Sequence, residues 1–506
     1  MDVISGKDLN NKKANLILNA IRTKKENFWL QAKEKNALGL FHLASRRVPA
    51  YKDFLRKNKV QPEKIKTFQD FQFVPLTNKK EYLQKYPLAS LTWDGSLNKP
   101  LVYCSTSGST GEPFYFPRNH QLDWESSVIH QLFLENGFRG HNGPTLIIIA
   151  FGMGVWIGGL ITYKAFEIAG QRGNHSISIL TTGINKKEIF SALQQLVPHY
   201  HQVILVGYAP FIKDIIDEAP EYGVNTKKLN LRLLFAAEIV PEKLREYFTQ
   251  KTGLNNMFLD TLNVYGTADI GTMAYETPVA ILLRRLALKN KNLFQLFFSS
   301  NNKVPTLAQY DPHFITFEAP NGDILLTGNN SIPLIRYSIG DRGGVFSFGE
   351  AKKKLNESRI SLLGEAKKVG ISKHIYELPF VYVYERDDLA TTLYGLIIYP
   401  GFLKSVLLGK PLNRFLSGKF TIITKFDRRN NQYLEINLEL RRGKESSQRL
   451  KEVALRKIIA ELRSKSSEFR ELSDYLVKRA WPKLIFWPAE HPLHFKPGVK
   501  QKWVKK

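Results

Sequence analysis

Strand-like and helix-like runs alternate along the middle of the chain, and this alternation is the feature that most restricts the fold. Strands are predicted at 177–180, 203–206 and 231–235, which are short apolar runs rich in Ile, Val and Leu. Helices are predicted between them, at 187–196 and 211–218. Alternation of this kind places helices in layers on a sheet. We therefore predict an α/β fold.

The last quarter of the chain has a different pattern. Strand-like runs at 420–426 and 433–440 flank Asn430 and Asn431, which suit a hairpin turn. A helical run and a further strand at 484–487 follow. Together they predict a compact α+β unit that is separate from the α/β part.

The length of 506 residues exceeds one ordinary core, so more than one domain is expected. We predict a large α/β domain over 1–386 and a small α+β domain over 387–506. The basic and apolar stretch 279–303 is predicted to be a helical insertion in the large domain.

The chain is strongly basic. It has 73 Lys and Arg against 46 Asp and Glu, a net charge of +27. Such a balance fits nucleic acid, an anionic membrane, or acidic small molecules and proteins. Because no aromatic-basic RNA-binding signature and no Cys/His finger spacing is present, we favour a solvated cationic surface and expect no nucleic-acid partner.

Two features bear on the compartment. Cys104 is the single cysteine, so an intrachain disulfide is impossible, which fits a reducing cytosol. The N-terminal residues lack the apolar core of a signal peptide, and we expect a cytoplasmic protein.

The uncharged stretch 145–163 is long enough to span a membrane, but its glycines divide it into a strand at 146–151, a turn, and a helix that starts near Val155. We expect no transmembrane segment.

A loop rich in hydroxyl groups and glycine is the first candidate functional motif. It lies between a strand-like run and an aromatic run, and its backbone N–H groups and hydroxyls suit a polyphosphate. It lacks the Gly-Lys-Ser/Thr ending of a Walker A loop. Taken alone, a flexible turn is an equally good interpretation. The loop reads Thr106-Ser107-Gly108-Ser109-Thr110-Gly111-Glu112-Pro113.

Further motifs follow the loop in a fixed order. They are Ala236-Ala237-Glu238, Tyr265-Gly266-Thr267-Ala268-Asp269, Pro333-Leu334-Ile335-Arg336-Tyr337-Ser338-Ile339-Gly340-Asp341, Arg386-Asp387-Asp388, and Phe495-Lys496-Pro497-Gly498-Val499-Lys500-Gln501-Lys502. Val48-Pro49-Ala50-Tyr51 and Val74-Pro75-Leu76-Thr77 precede the loop. In this order the motifs resemble the adenylate-forming superfamily of acyl- and aryl-CoA ligases. They most resemble its phenylacetate–CoA ligase-like branch, which also holds enzymes linked to capsular polysaccharide synthesis.

The resemblance implies a reaction in two halves. A carboxylate attacks the α-phosphate of ATP and gives acyl-AMP and pyrophosphate, and a thiol, usually that of CoA, then displaces AMP. It also implies that 1–386 binds ATP and the acyl group. The domain 387–506 would be mobile and carry the catalytic lysine, with Asp387 and Asp388 at the hinge.

The resemblance further assigns the nucleotide site. The loop would hold the β- and γ-phosphates, the segment at 236–238 would flank adenine, and Tyr265 would stack against the base. The residues implied in binding ATP or AMP are Thr106, Ser107, Gly108, Ser109, Thr110, Gly111, Ala236, Ala237, Glu238, Tyr265, Gly266, Thr267, Asp341 and Arg386.

Two catalytic residues are implied. Lys500 would bridge the carboxylate and the α-phosphate, and Lys496 and Lys502 are its competitors within one turn of chain. Asp269 would reach Mg²⁺. Relatives usually have Glu at this position, but the carboxylate of either residue can bind the ion. Asp341 would bind both ribose hydroxyls.

The chain departs from the family pattern at two further positions. Glu112 stands where relatives often have Lys, and its carboxylate must point away from the phosphates. Ala268 stands where Ser or Thr commonly donates to the α-phosphate, which alanine cannot do.

The acyl pocket is predicted, by family position, at Phe151, Trp156 and Tyr208. No structural zinc is expected, because the run at 274–277 that matches zinc-binding positions of some relatives has no Cys. The acceptor stays open between CoA and an acidic acyl carrier protein, an amine or a sugar. A non-catalytic basic binding protein on a decayed ligase scaffold is a further alternative.

Overall fold

The computed structural model describes residues 6–106, 114–137, 143–154, 157–173, 175–298, 304–384, 391–398, 400–492, 494–495 and 504. Its architecture is α/β, as predicted, with a large sheet covered by helices and a smaller sheet near the C-terminus.

The helices predicted at 187–196 and 211–218 are present, with ends shifted by at most two residues. In chain order the α-helices are α1 (Gly6–Thr23), α2 (Glu26–Arg47), α3 (Pro49–Lys57), α4 (Phe68–Phe71), α5 (Leu88–Leu91), α6 (His120–Asn136), α7 (Ile157–Gly173), α8 (Lys186–Gln195), α9 (Ala209–Glu218), α10 (Glu242–Lys251), α11 (Met257–Asp260), α12 (Pro278–Lys289), α13 (Lys291–Phe297), α14 (Phe348–Glu357), α15 (Leu362–Lys368), α16 (Gly401–Leu408), α17 (Gln448–Lys465) and α18 (Ser467–Leu476).

The strands include the predicted ones and several short ones that the sequence did not indicate. They are β1 (Thr77–Asn78), β2 (Val102–Ser105), β3 (Tyr115–Arg118), β4 (Thr145–Ala150), β5 (Ile177–Leu180), β6 (Gln202–Gly207), β7 (Leu231–Ala236), β8 (Thr261–Thr267), β9 (Gly271–Tyr275), β10 (Thr306–Gln309), β11 (Ile315–Glu318), β12 (Asp323–Gly328), β13 (Leu334–Phe346), β14 (Phe380–Tyr384), β15 (Thr391–Leu393), β16 (Leu396–Ile398), β17 (Leu416–Phe426), β18 (Gln432–Leu440) and β19 (Lys483–Trp487).

Local sequence explains where several helices start. Pro49 opens α3 because its fixed φ suits the first helical turn, and it holds Val48 in an extended conformation that ends α2. The side chains of Asn119 and Asn185 accept backbone N–H groups at the starts of α6 and α8. These caps fix the points at which the chain leaves the sheet for the covering helices.

The large sheet has 12 strands among the described residues, in the order β11-β12-β13-β14-β10-β9-β8-β7-β6-β4-β5, with β1 paired to β13. Strands β5, β4, β6, β7 and β8 are parallel neighbours, and the remaining pairs on the path are antiparallel. The parallel strands β4 and β6 are buried at every position because helices cover both faces.

The C-terminal sheet consists of β17, β18 and β19, and it packs against α17 and α18. Asn430 adopts φ 58° in the turn between β17 and β18, as the predicted hairpin requires. The stretch predicted as an insertion forms helices α12 and α13, which contribute Ile281 and Leu293 to a buried cluster.

The stretch considered as a membrane span forms β4 and α7. No helix in the described part of the chain is long and apolar enough to cross a bilayer.

Candidate active site

Four of the predicted site segments follow strands that end at the same edge of the large sheet. Phe151 follows β4, Tyr208 follows β6, Glu238 follows β7, and Tyr265 lies near the end of β8. The register aligns these ends, since Ala150 pairs with Gly207 and the next strands continue in parallel. The carboxyl edge of parallel strands is where open α/β sheets place their ligand sites.

Two hydrogen bonds between tyrosine and aspartate join the motifs of β8 and β13. The Tyr265 hydroxyl donates to Asp341 Oδ2 at 2.7 Å, and the Tyr337 hydroxyl donates to Asp269 Oδ2 at 2.8 Å. Each bond pairs a residue near the end of β8 with one on β13. Motifs separated by about seventy residues therefore lie together, and both carboxylates are held in fixed positions.

Lys79 lies beside the predicted site residues, although the sequence motifs did not include it. Strand β1 pairs with β13 at Tyr337 and Ser338, which places the next residue, Lys79, beside the site. Its Nζ donates to Thr106 Oγ1 at 3.0 Å. Burial lowers the pKa of Lys79, and the nearby charge of Asp269 partly opposes that shift. An ammonium group thus contacts the first residue of the hydroxyl-rich loop and feels the charge of Asp269.

The base of this loop is closed by backbone contacts. Strands β2 and β3 pair antiparallel, with Ser105 opposite Tyr115. The Thr106 N–H donates to the Phe114 carbonyl at 3.1 Å, and the Phe114 N–H donates to Thr106 Oγ1 at 3.0 Å. The strand-like run before the loop is thus confirmed as β2, and the aromatic run after it lies at the start of β3.

Glu238 connects the site to the hairpin of β15 and β16. A carboxylate oxygen of Glu238 accepts the Gly395 N–H, and its carbonyl accepts from Asn263 Nδ2 at 3.2 Å. Gly395 adopts φ +77°, and a Cβ there would lie 2.1 Å from the Tyr208 ring. The preceding Ala237 has φ 73°, an uncommon conformation for a non-glycine residue that concentrates at functional sites. Glycine is therefore required at the hairpin tip, where it touches two predicted site residues.

The predicted acyl-pocket residues Phe151 and Tyr208 lie in contact. Their ring centroids are 5.0 Å apart and their planes are nearly perpendicular, a favourable edge-to-face geometry. Burial raises the pKa of Tyr208, and the nearby carboxylates of Glu468 and Glu238 add to the shift. The hydroxyl therefore stays protonated at neutral pH.

Ion pairs attach the C-terminal sheet unit to α9. Arg479 contacts Asp214 Oδ1 at 2.5 Å and Glu218 Oε1 at 2.6 Å, and Lys213 Nζ donates to Asn431 Oδ1 at 2.9 Å. Burial raises the pKa of Asp214, and Arg479 opposes that shift. Helix α9 starts directly after Tyr208, so these contacts fix the C-terminal unit next to the site.

Several predicted site residues lie outside the described residues, and their roles stay predictions. They are Ser107, Gly108, Ser109, Thr110, Gly111, Trp156, Arg386, Asp387, Asp388 and Lys500, together with the departure at Glu112. Within the described ranges, no group of three or more His, Cys, Asp and Glu side chains could hold a metal ion.

The fold is that of adenylate-forming ligases. A crystal structure of 2-hydroxyisobutyryl-CoA ligase in complex with 2-HIB-AMP and CoA in the thioesterification state matches with a TM-score of 0.59 and 16% identity, over 93% of this chain and 89% of that one. The same ligase in the postadenylation state with R3-HIB-AMP matches with a TM-score of 0.51 and 13% identity, over 96% and 90%. In sequence, no protein-family model and no curated protein matches the chain.

Proposed function

We propose that this chain is an ATP-dependent, AMP-forming ligase of the phenylacetate–CoA ligase-like kind. It would activate a carboxylic acid as acyl-AMP and transfer the acyl group to a thiol, with CoA as the favoured acceptor. The observation that carries the proposal is the convergence of Tyr265, Asp269, Tyr337 and Asp341 through their paired hydrogen bonds at the carboxyl edge of the sheet.

The first half-reaction brings two anions together, so cations and fixed donors must stabilise the charge that develops. Lys79 supplies a cation at the base of the loop that would hold the phosphates. In many relatives a lysine follows this loop, where Glu112 stands here. We infer that Lys79 carries the positive charge that position 112 lacks.

Asp341 and Tyr265 are proposed to hold the nucleoside. The Asp341 carboxylate can accept from both ribose hydroxyls, and its bond from the Tyr265 hydroxyl fixes its orientation. The same bond fixes the Tyr265 ring, which would stack against adenine, while the segment 236–238 would flank the base. Thr267, next to Ala268, accepts the Asp269 N–H at 3.3 Å through its hydroxyl oxygen.

The residues present fit Mg²⁺ bound through substrate phosphates. Mg²⁺ binds in such sites through one or two carboxylates and phosphate oxygens, and Asp269 provides one carboxylate that Tyr337 orients. When bound, the ion would neutralise phosphate charge. Asp269 would hold it, and Lys79 would act beside it.

The second half-reaction requires movement of the domain that we assign to 387–506. Lys500 is proposed to act during adenylation and to leave afterwards, with Asp387 and Asp388 at the hinge. The contacts of Gly395 with Tyr208 and Glu238 support a role for the hairpin in acyl transfer, because they place it against the proposed acyl pocket. We assign the reaction to the cytoplasm, where ATP and CoA are available.

ATP–pyrophosphate exchange with a panel of carboxylic acids tests the proposal. At least one acid should stimulate exchange in the wild type, and Asp341→Ala should abolish it, while the exposed Asp323→Ala serves as a matched control. Mass analysis after adding CoA, a carrier protein or an amine then identifies the acceptor. Absence of exchange with every acid, in protein shown to be folded, would refute the enzyme and favour the non-catalytic alternative.

A further inference from the structure

A cavity lies between α1, α2, α6 and the turn before β11. Its volume is about 390 Å³, which falls in the range of small-molecule sites. None of its lining residues belongs to the proposed active site. Helix α6 contributes Gln121 and Glu125 to the lining, and its Ser126 contacts Thr272 of β9 at 2.8 Å.

One part of the lining is apolar. Leu16, Ile17, Phe28 and Phe314 form it, and Leu16 is 69% exposed. A hydrocarbon chain or an aromatic ring placed here would remove this surface from water, which is favourable in proportion to the area covered. A purely polar ligand would leave the apolar wall uncovered.

The other part carries two basic groups. The Lys13 ammonium lies 5.2 Å from the centroid of the Trp124 ring, which holds the cation at the cavity. His313 Nδ1 lies 2.8 Å from Asp311 Oδ1. Burial lowers the pKa of His313, but the Asp311 carboxylate outweighs it and the net shift is upward. The imidazole therefore gains positive charge more readily than a free histidine.

Glu125 also lines the polar part of the cavity. Its Oε1 accepts from Gln121 Nε2 at 2.8 Å. Burial raises the pKa of Glu125 to about 8, although Gln121 and Lys13 oppose the shift. Burial thus favours the protonated form of Glu125, while Lys13 and His313 are the basic groups of the cavity and Asp311 pairs with His313.

We propose that this cavity binds a small amphipathic carboxylate at a site distinct from the acyl pocket. The carboxylate group would lie against Lys13 and His313, and the apolar body would pack along Leu16, Phe28 and Phe314. An organic cation is disfavoured, since Lys13 and His313 would repel it. The site goes beyond the proposed ligase reaction and needs neither ATP nor an acceptor.

Calorimetric titration of the full chain with sodium octanoate, without ATP, tests the proposal. Lys13→Met removes the cation, Leu16→Trp fills the apolar part, and Lys12→Met is the matched control because Lys12 is a neighbouring exposed lysine that does not line the cavity. The substituted side chains are exposed, so folding should be retained and thermal unfolding checks it.

The wild type and Lys12→Met should bind octanoate saturably, and octylammonium should not compete. Lys13→Met should weaken binding about tenfold, as expected for loss of one charge-assisted contact. Leu16→Trp should abolish binding at this site. No saturable binding would overturn the proposal. Octanoate binding that is unchanged in Lys13→Met and Leu16→Trp would also overturn it, because such binding would belong to the acyl pocket. Neither result depends on ATP–pyrophosphate exchange.

Discussion

Replacing Lys79 by methionine removes the cation beside the proposed phosphate site while keeping the length of the side chain. Lys79 Nζ lies 3.0 Å from Thr106 Oγ1, so a phosphate held by the loop would come within reach of the same ammonium group. A hydrogen bond to a charged group contributes about 1.5–3 kcal/mol. We therefore expect kcat/KM for ATP in the exchange reaction to fall about 10- to 150-fold.

The pH dependence of the exchange reaction gives an independent check. Burial lowers the pKa of Lys79, and Asp269 opposes the shift. The ammonium is the active form, so the contribution of Lys79 is complete below its pKa and is lost as pH rises through it. The wild type should lose activity on the alkaline side, and Lys79→Met should lack that limb of the profile.

The free energy of unfolding distinguishes a catalytic role of Lys79 from a structural one. Because burial disfavours its charged form, the lysine costs stability in the folded protein at neutral pH. The free energy of unfolding of Lys79→Met in urea should stay equal or rise. Lys80→Met, at an exposed neighbouring lysine, should keep full activity. A loss of less than twofold in Lys79→Met, or an equal loss in Lys80→Met, would refute the reasoning.

Three further substitutions probe the rest of the site. Tyr337→Phe removes the hydrogen-bond donor that orients Asp269. Because loss of such a partner weakens metal binding, the Mg²⁺ concentration needed for half-maximal exchange should rise about 10-fold or more. An unchanged Mg²⁺ requirement would contradict the proposed metal site. Lys500→Ala should abolish acyl-AMP formation yet largely preserve thioester formation from supplied acyl-AMP, and equal loss of both would contradict its role. Arg479→Gln weakens the contact with Asp214 that holds the C-terminal unit beside the site. It should therefore slow transfer from supplied acyl-AMP roughly 3- to 10-fold and leave ATP–pyrophosphate exchange unchanged. Slower exchange with unchanged transfer would show that this contact serves adenylation.

The sequence predicted strands β4 to β7 of the parallel part because each is a short, mainly apolar run, whereas β8 (Thr261–Thr267) lacks such a run and was not predicted. Strand β5 has the predicted bounds, β6 is one residue longer at each end, and β7 is one residue longer at its C-terminal end. In this region local pattern and tertiary packing agree, since a strand buried on both faces must be apolar throughout.

The position of Lys79 could not be predicted, because it depends on contacts between distant parts of the chain. Strand β1 has only two residues, and the Thr77 hydroxyl donates to the Ile335 carbonyl across 258 positions. Asn78 Oδ1 accepts the Glu81 N–H at 2.7 Å, a bond typical of a helix N-cap, but no α-helix follows directly. Pairing with β13 determines the conformation here.

Arg336 shows the same limit within a recognisable motif. It precedes Asp341 in the family pattern, yet its side chain is buried and contacts Glu318 Oε2 at 3.1 Å and the Val74 carbonyl. Its φ of 44° is uncommon for a non-glycine residue. The arginine therefore connects β13 to β11 and to the segment before β1, and so helps to place both Asp341 and Lys79.

A buried ion-pair cluster at the end of β9 shows how this chain connects its sheet to α10 and α12. Glu276 contacts Arg245 at 2.5 Å and Arg284 at 2.6 Å, and Glu242 contacts both arginines as well. Two arginines and two carboxylates compensate each other, whereas any one of them alone would be a costly buried charge. Because Arg284 lies on α12, removal of the stretch 279–303 would take away one of the two arginines that compensate the charge of Glu276. The cluster thus connects the segment 274–277 at the end of β9 to α10 and α12.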